Sequence, residues 1–322
     1  MFAEDADGVE KRKPGTILFL LAVLLIGGYF AVQHAPDWMA GIDHGVPALG
    51  IDAALLQKLL GGAVAIAVLV ANCYLLLRLS LRWQITVAWC ELALLVVLFF
   101  STFNLSIDFI ERKIGYLVLQ GATTTLYISA ISIALAFVLA LIGALAKLSS
   151  NGIAIGIATF YTSLFRGLPL LMQIFILYLG LPQLGYVVDP IPAGVAALSL
   201  CYGAYMTEIF RAGIQSIPKG QWDAARALGL SHGMMMRLVI LPQALRVIIP
   251  PTGNQFIAML KDSSLVSVVG VWELTYVATT EGQREFRHME MLISASVIYW
   301  LVSMVLEVIQ SRIERRFRRS AR

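Results

Sequence analysis

Charge is scarce in this chain. Of 322 residues only 14% are Asp, Glu, Lys or Arg, while 59% are hydrophobic. Soluble domains carry about 25% charged and 45–50% apolar residues, so a water-soluble globular protein is excluded. Cysteine is nearly absent as well. Cys73, Cys90 and Cys201 are dispersed in apolar runs without a CxxC or Cys/His spacing, which gives neither a disulfide framework nor a zinc site. No GxxxxGK[ST] phosphate loop occurs, and no large soluble stretch exists in which one could fold, so the chain is not expected to hydrolyse ATP itself. HExxH, GxSxG and convincing paired carboxylates are missing too, which argues against an integral-membrane enzyme. No catalytic residue, metal or bound cofactor is therefore expected. The formal net charge is +4. Nucleic-acid binding is not inferred from it, because basic residues beside membrane spans record topology.

What the sequence does have is long apolar runs. About 20 such residues cross a bilayer, and eight stretches are candidates: 16–32, 58–79, 85–104, 119–146, 167–182, 192–211, 246–270 and 291–310. The fold class is thus an all-α polytopic membrane protein with about eight transmembrane helices. Lys11, Arg12 and Lys13 precede the first span, which reads as an uncleaved anchor with its basic flank in the cytoplasm. Eight crossings return the C-terminus to the same side. This threading puts all but six of the 24 lysines and arginines on the cytoplasmic side, including Arg78, Arg82, Lys147, Arg166, Arg211, Lys219, Arg226 and the tail arginines. Lys58, Arg112, Lys113, Arg284 and Arg287 fall outside, among the acidic residues Asp189, Glu273, Glu281 and Glu285, and Lys261 falls within a span.

Composition divides the chain. Residues 1–105 are lipid-like spans joined by simple loops; residues 115–311 carry repeated polar, Gly and Pro interruptions; residues 312–322 form a basic tail. No internal repeat relates the later spans. Between two of them lies a polar, cytoplasmic insert, SIPKGQWDAARALGLSHGMMMRLVIL, at 216–241. It reads as two short helices. Pro218 suits an early helical position, Gly229 can take the left-handed conformation that ends the first helix, Ser231 can cap the second, and Pro242 is expected to stop it. Trp222, Ala225 and Gly229 form a stripe. An amphipathic helix lying on lipid is one reading. The small, alanine-rich stripe better suits a groove on another protein.

At these residues the chain resembles a family. Asp223-Ala224-Ala225, then Gly229, then Val239-Ile240-Leu241-Pro242 is similar to the EAA-x3-G-x9-I-x-LP motif of ABC importer membrane subunits, with Asp223 in place of Glu and Val239 in place of Ile. FRGLPLLMQ at 165–173, AYMTEIFRAGIQSIPKGQ at 204–221, LPQALRVIIPPTGNQFI at 241–257 and LKDSSLVSVVGVWEL at 260–274 resemble the permeases for polar amino acids of the histidine/glutamate/glutamine/arginine/opine class. The resemblance implies a five-helix permease core at 115–311 with three extra spans before it, in the inner membrane. It also implies that Trp222, Asp223, Ala224, Ala225, Gly229, Leu241 and Pro242 belong to a coupling loop docking on a cytoplasmic ATPase dimer, which binds the ATP. The other implied partners are a second permease subunit, identical or paralogous, and a periplasmic amino-acid-binding protein.

Polar groups within the spans are candidates for a substrate path: Gln173, Glu208, Asn254, Gln255, Lys261, Asp262 and Ser263. Lys and Asp at mid-span cost about 2.5–3.5 kcal/mol on insertion scales, so they should face protein or water. A zwitterionic amino acid offers an ammonium and a carboxylate to such groups. Structural ion pairs for Lys261 and Asp262 are the equal alternative. Glu208 lies near the cytoplasmic end of its span, where gating or anchoring suits it. Arg166 is expected to snorkel at the cytoplasmic interface, and Pro250 and Pro251 to kink their span. A gradient-driven secondary transporter or channel using Glu208 and Asp262 is the rival class, but it leaves the insert without a task. A non-transporting scaffold is the third, disfavoured by the polar interruptions of the last five spans.

Overall fold

The structure, a computed structural model, describes residues 78–101, 103 and 105–319, together with scattered positions between 62 and 76. The candidate span 16–32 and the Lys11–Lys13 flank lie outside the described residues; those described within 58–78 are helical. The chain forms two compact units, Met1–Thr102 and Phe103–Arg322. In the first, α1 (Leu81–Ser101) is an apolar helix whose membrane-length window buries none of its residues within the protein. A helix apolar on all sides is stable in lipid, where its backbone groups bond internally.

The second unit is entirely helical among its described residues. A short helix, α2 (Ile107–Tyr116), runs through a wider π-type turn, Leu117–Ala122, into α3 (Thr123–Leu148), so one 42-residue span replaces the expected 119–146. Next come α4 (Gly152–Gly167) and α5 (Leu170–Phe175), the latter continued to Leu184 by wider and tighter turns. The two arms meet at 106°. The expectation of a simple span at 167–182 is therefore corrected: the crossing is broken, and its first arm, α4, lies in what read as a loop. Pro169 is the reason, since it disfavours helical backbone at Leu168, which is extended at φ −93°, ψ 139°.

Next, α6 (Pro190–Gln215) is the central helix, two thirds buried within the protein over its span window. It packs on α3 through small residues. Ala136, Ala140 and Ala144 of α3 and Ala193, Ala197 and Ala204 of α6 are all buried. A Cβ at Gly143 would stand 2.6 Å from Thr207 Oγ1. Small side chains let the backbones approach, which is how helices gain dispersion energy where lipid is as apolar as the core. Then α7 (Lys219–Ala227), α8 (His232–Met235) and α9 (Leu241–Asp262) follow, the last two fused by a π-type turn at Met236–Ile240. Pro242 therefore does not stop the second insert helix. It occupies the first turn of α9, where the wider preceding turn removes the need for its missing N–H. Nor do Pro250 and Pro251 interrupt α9. Gln310 Nε2 donates to the Pro250 carbonyl at 3.1 Å from the neighbouring last helix.

A 3-10 segment, Ser263–Val269, leads to α10 (Leu274–Arg284) and then α11 (His288–Arg319). The expected tail from 312 is not separate; its described part is the end of α11, held by Gln310 to Glu314 and Arg315 to Ser311 contacts. At the other end of the unit, charges expected in loops are ordered. Buried Glu281 pairs with Lys113 at 2.7 Å and Arg284 at 2.6 Å, and Arg287 pairs with Glu290 at 2.9 Å. Glu273 is fully buried and caps α10, accepting from Thr275 N, Tyr276 N and Tyr299 Oη at 2.6–2.9 Å.

Candidate functional site

Two features stand out, at opposite ends of the chemistry expected. The first is α7. Its C-terminus is a Schellman closure: Gly229 N donates to Arg226 O at 2.9 Å and Leu230 N to Ala225 O at 3.2 Å, with Gly229 at φ 68°. Glycine, lacking a Cβ, takes that left-handed backbone without strain. Ser231 then caps α8 through Met234 N. The stripe meets a correction. Ala225 is 2% exposed, and Trp222 and Leu230 pack with it on the core that also holds Ile214 and Ile240. Trp222 and Ala225 thus anchor the helix to its own chain. Ala224 and Leu228 face outward with Asp223, which is 66% exposed and paired with Arg226 at 2.8 Å. Leu228 is 77% exposed. Leu241 packs on the same core, and Pro242 follows it on α9.

The second feature is an open cavity of about 440 Å3 at the break between α4 and α5, lined by Arg166, Gly167, Leu168, Cys201, Tyr202, Tyr205, Gln255 and Asp262 among others. Tyr202 and Tyr205 are one helical turn apart near the middle of α6, so they share a face. Tyr202 Oη donates to Asp262 Oδ2 at 2.7 Å. The Arg166 guanidinium lies over the Tyr205 ring, 5.3 Å from its centroid. Arg166 is therefore held beside the middle of α6. Its place follows from α4, which carries it to the break as part of its last turn.

Of the seven expected path residues, Gln255 and Asp262 line this cavity. Asp262 is exposed on the unit's surface rather than interior, and neither it nor Lys261 forms an ion pair among the described residues. Lys261 lines a separate groove with Tyr299, Trp300 and Glu307. Gln173 is 3% exposed and braces the break, its Nε2 donating to the carbonyls of Phe165 and Leu168 at 2.9 and 3.0 Å. Asn254 accepts from Gln310, and buried Ser263 donates to Leu260 O. Glu208 is bound by Lys147 and by Arg211, with Lys147 also reaching Thr162. That cluster ties α3, α4 and α6 together and leaves Glu208 doubly neutralised, unlike the free carboxylate a gradient-driven carrier requires. Sequence reasoning missed Tyr202 and Tyr205 as cavity residues. Their signal was the i, i+3 spacing of two tyrosines amid small residues.

Comparison with known proteins bears on the family of the chain. Residues 136–319 match the model of the family described as binding-protein-dependent transport system inner membrane component. The chain is 41% identical over 202 residues to the arginine transport system permease ArtQ of Bacillus subtilis, covering 62% of this chain and 92% of ArtQ. It is 39% identical over 213 residues to the L-cystine permease TcyB of the same organism (66% and 91%), and 38% over 204 residues to the glutamine permease GlnP of Escherichia coli K12 (63% and 93%). Among solved structures, an amino acid ABC transporter crystallised with histidines matches with TM-score 0.62 at 36% identity, over 66% of this chain and all of that one. The MetNI methionine transporter matches with TM-score 0.55 at 20% identity, covering 63% of this chain and 96% of that one, a likeness of fold. With the matched segment spanning more than half of the chain and its helices long and apolar enough to cross a bilayer, this multi-pass protein belongs to the family of inner membrane components of binding-protein-dependent transport systems.

Proposed function

We propose that this chain is the permease subunit of an ATP-binding cassette importer for polar amino acids, working as one of a pair that encloses the path. A separate ATPase dimer docks on α7 and binds the ATP, and a soluble binding protein delivers substrate at the opposite end. The observation that carries this is the two-faced α7. One face is locked to the permease core through Trp222 and Ala225, and the other presents Asp223, Ala224 and Leu228 to solvent. A lipid-surface helix would expose its bulky apolar face, whereas here the tryptophan turns inward. Closure of the ATPase pair would move α7 and, through it, the helices flanking the cavity, switching access from one side to the other. In the cavity, Arg166 would take the substrate carboxylate and Asp262 its ammonium. The names of relatives serving arginine, glutamine and cystine support this substrate class.

The test is retention of the partner ATPase. Asp223→Lys and Gly229→Val should reach the membrane yet lose the ATPase in pull-down, while Asp223→Glu keeps it. Normal retention and normal coupled hydrolysis in both damaging variants would refute the coupling role. Asp262→Asn should keep retention and lose flux. If it instead disappears from the membrane, Asp262 serves folding rather than transport.

A further inference from the structure

The turn between α10 and α11 holds a feature the transport scheme leaves unused. Phe286 has φ 55°, the only non-glycine residue with positive φ among those described. It is also 90% exposed. The backbone is fixed there by a Schellman closure of the kind Gly229 makes: Phe286 N donates to Gln283 O at 3.4 Å and Arg287 N to Gly282 O at 2.8 Å. A bulky side chain in this conformation is an outlier, and glycine would remove both the crowding and the exposed ring. Its foundation is rigid. A Cβ at Gly282 would stand 3.0 Å from His288 Cα, and the Glu281 and Glu290 ion pairs clamp the residues on both sides.

We infer that Phe286 is a preorganised anchor for the soluble substrate-binding protein, seated in an apolar pocket rimmed by carboxylates. This rests on the reading that such a protein serves this permease. The turn is at the end of α9 to α11 away from α7, as docking at the opposite end requires. Arg284 and Arg287 flank the ring at 60% and 45% side-chain exposure, each paired through one nitrogen with a carboxylate of this chain and keeping further N–H donors for an acidic rim on the partner. An aromatic ring with arginine neighbours on a fixed backbone is the usual make-up of a binding hot spot, and fixing it beforehand lowers the ordering cost of association. A lipid interface accepts an aromatic ring in many orientations and gains nothing from a constrained backbone.

The complete complex, with its ATPase and its binding protein, is assayed in nanodiscs and in detergent for ATP hydrolysis against concentration of loaded binding protein. Phe286→Gly and Phe286→Asn both suit the left-handed backbone, so melting temperature and ATPase retention should hold. Half-maximal stimulation should need at least tenfold more binding protein in both media, and Phe286→Trp should restore most of it. An unchanged half-maximal concentration overturns the inference, as does a shift seen only in nanodiscs, which would assign the ring to lipid. If the wild-type complex retains no ATPase and is never stimulated, the importer reading itself fails and the anchor falls with it.

Discussion

Glu273 illustrates how much a single buried side chain holds. It is fully buried, it supplies the cap of α10, and it binds Tyr299 of α11. Glu273→Ala removes an N-cap, worth about 0.5–2 kcal/mol, and takes away the Tyr299 hydroxyl's 2.6 Å acceptor besides. A lower melting temperature in detergent is the expected result, with α10 the first segment to exchange amide hydrogens. Burial also pushes this carboxyl above its ordinary range, against the pull of its hydrogen bonds from Tyr299, Thr275 and Tyr276. The folded state then holds the proton more tightly than the unfolded chain. Its stabilising contribution is complete below the ordinary glutamate pKa, about 4.3, and is lost as pH rises through the raised value. Relative to Glu273→Gln, which does not titrate, the wild type should therefore lose melting temperature across that window; parallel pH profiles would contradict the assignment.

Between residues and the whole protein, the broken crossing of α4 and α5 is the element that makes the cavity. Gln173 holds it by occupying two carbonyls that the bend leaves without helical partners. Gln173→Leu should cost about 1–3 kcal/mol, the penalty for stranding buried polar groups, and should depress flux no more than Gln173→Glu, which keeps the volume but turns a carboxylate with no N–H to donate on the Phe165 and Leu168 carbonyls. Thermal unfolding alongside uptake separates the two effects. Here the reach of the sequence is plain. The insert's first helix, its glycine stop and the Ser231 cap are written in local residue chemistry, and they are present. The break was not legible because 152–167 is short and mixed, below the length that hydropathy detects. The inward turn of Trp222 was hidden for another reason: periodicity defines a stripe but not which neighbour covers it. Glu281 read as a loop charge because one of its cationic partners, Lys113, lies on another helix more than a hundred residues away.

For the protein as a whole, the positive-inside threading sets the sidedness on which docking depends. Single cysteines on a Cys-free background give the measurement. One at Val187, 85% exposed in the turn before α6, should react with an impermeant thiol reagent in intact spheroplasts, and one at Lys219 should not. Strong labelling at Lys219 would put α7 outside and remove its contact with an ATPase. In the whole-chain architecture the boundary between the two units falls at Thr102/Phe103. Among the described residues, the four long span-length helices of the second unit follow the apolar runs with their ends extended, because helices continue through polar flanks such as 312–319 that hydropathy excludes.

The inward anchoring of α7 has a mechanical consequence. A helix bonded to the membrane only by its flanking linkers would behave as a tether, absorbing displacement as slack. With Trp222, Ala225 and Leu230 seated in the same core as Ile214 and Ile240, α7 is instead a crank welded to its shaft. Under the proposed coupling, force applied at Asp223 and Leu228 would be delivered to α6 and α9 together, with little compliance between input and output. Such a device transmits a short stroke with little loss, and it stalls, rather than slips, when the far end is held.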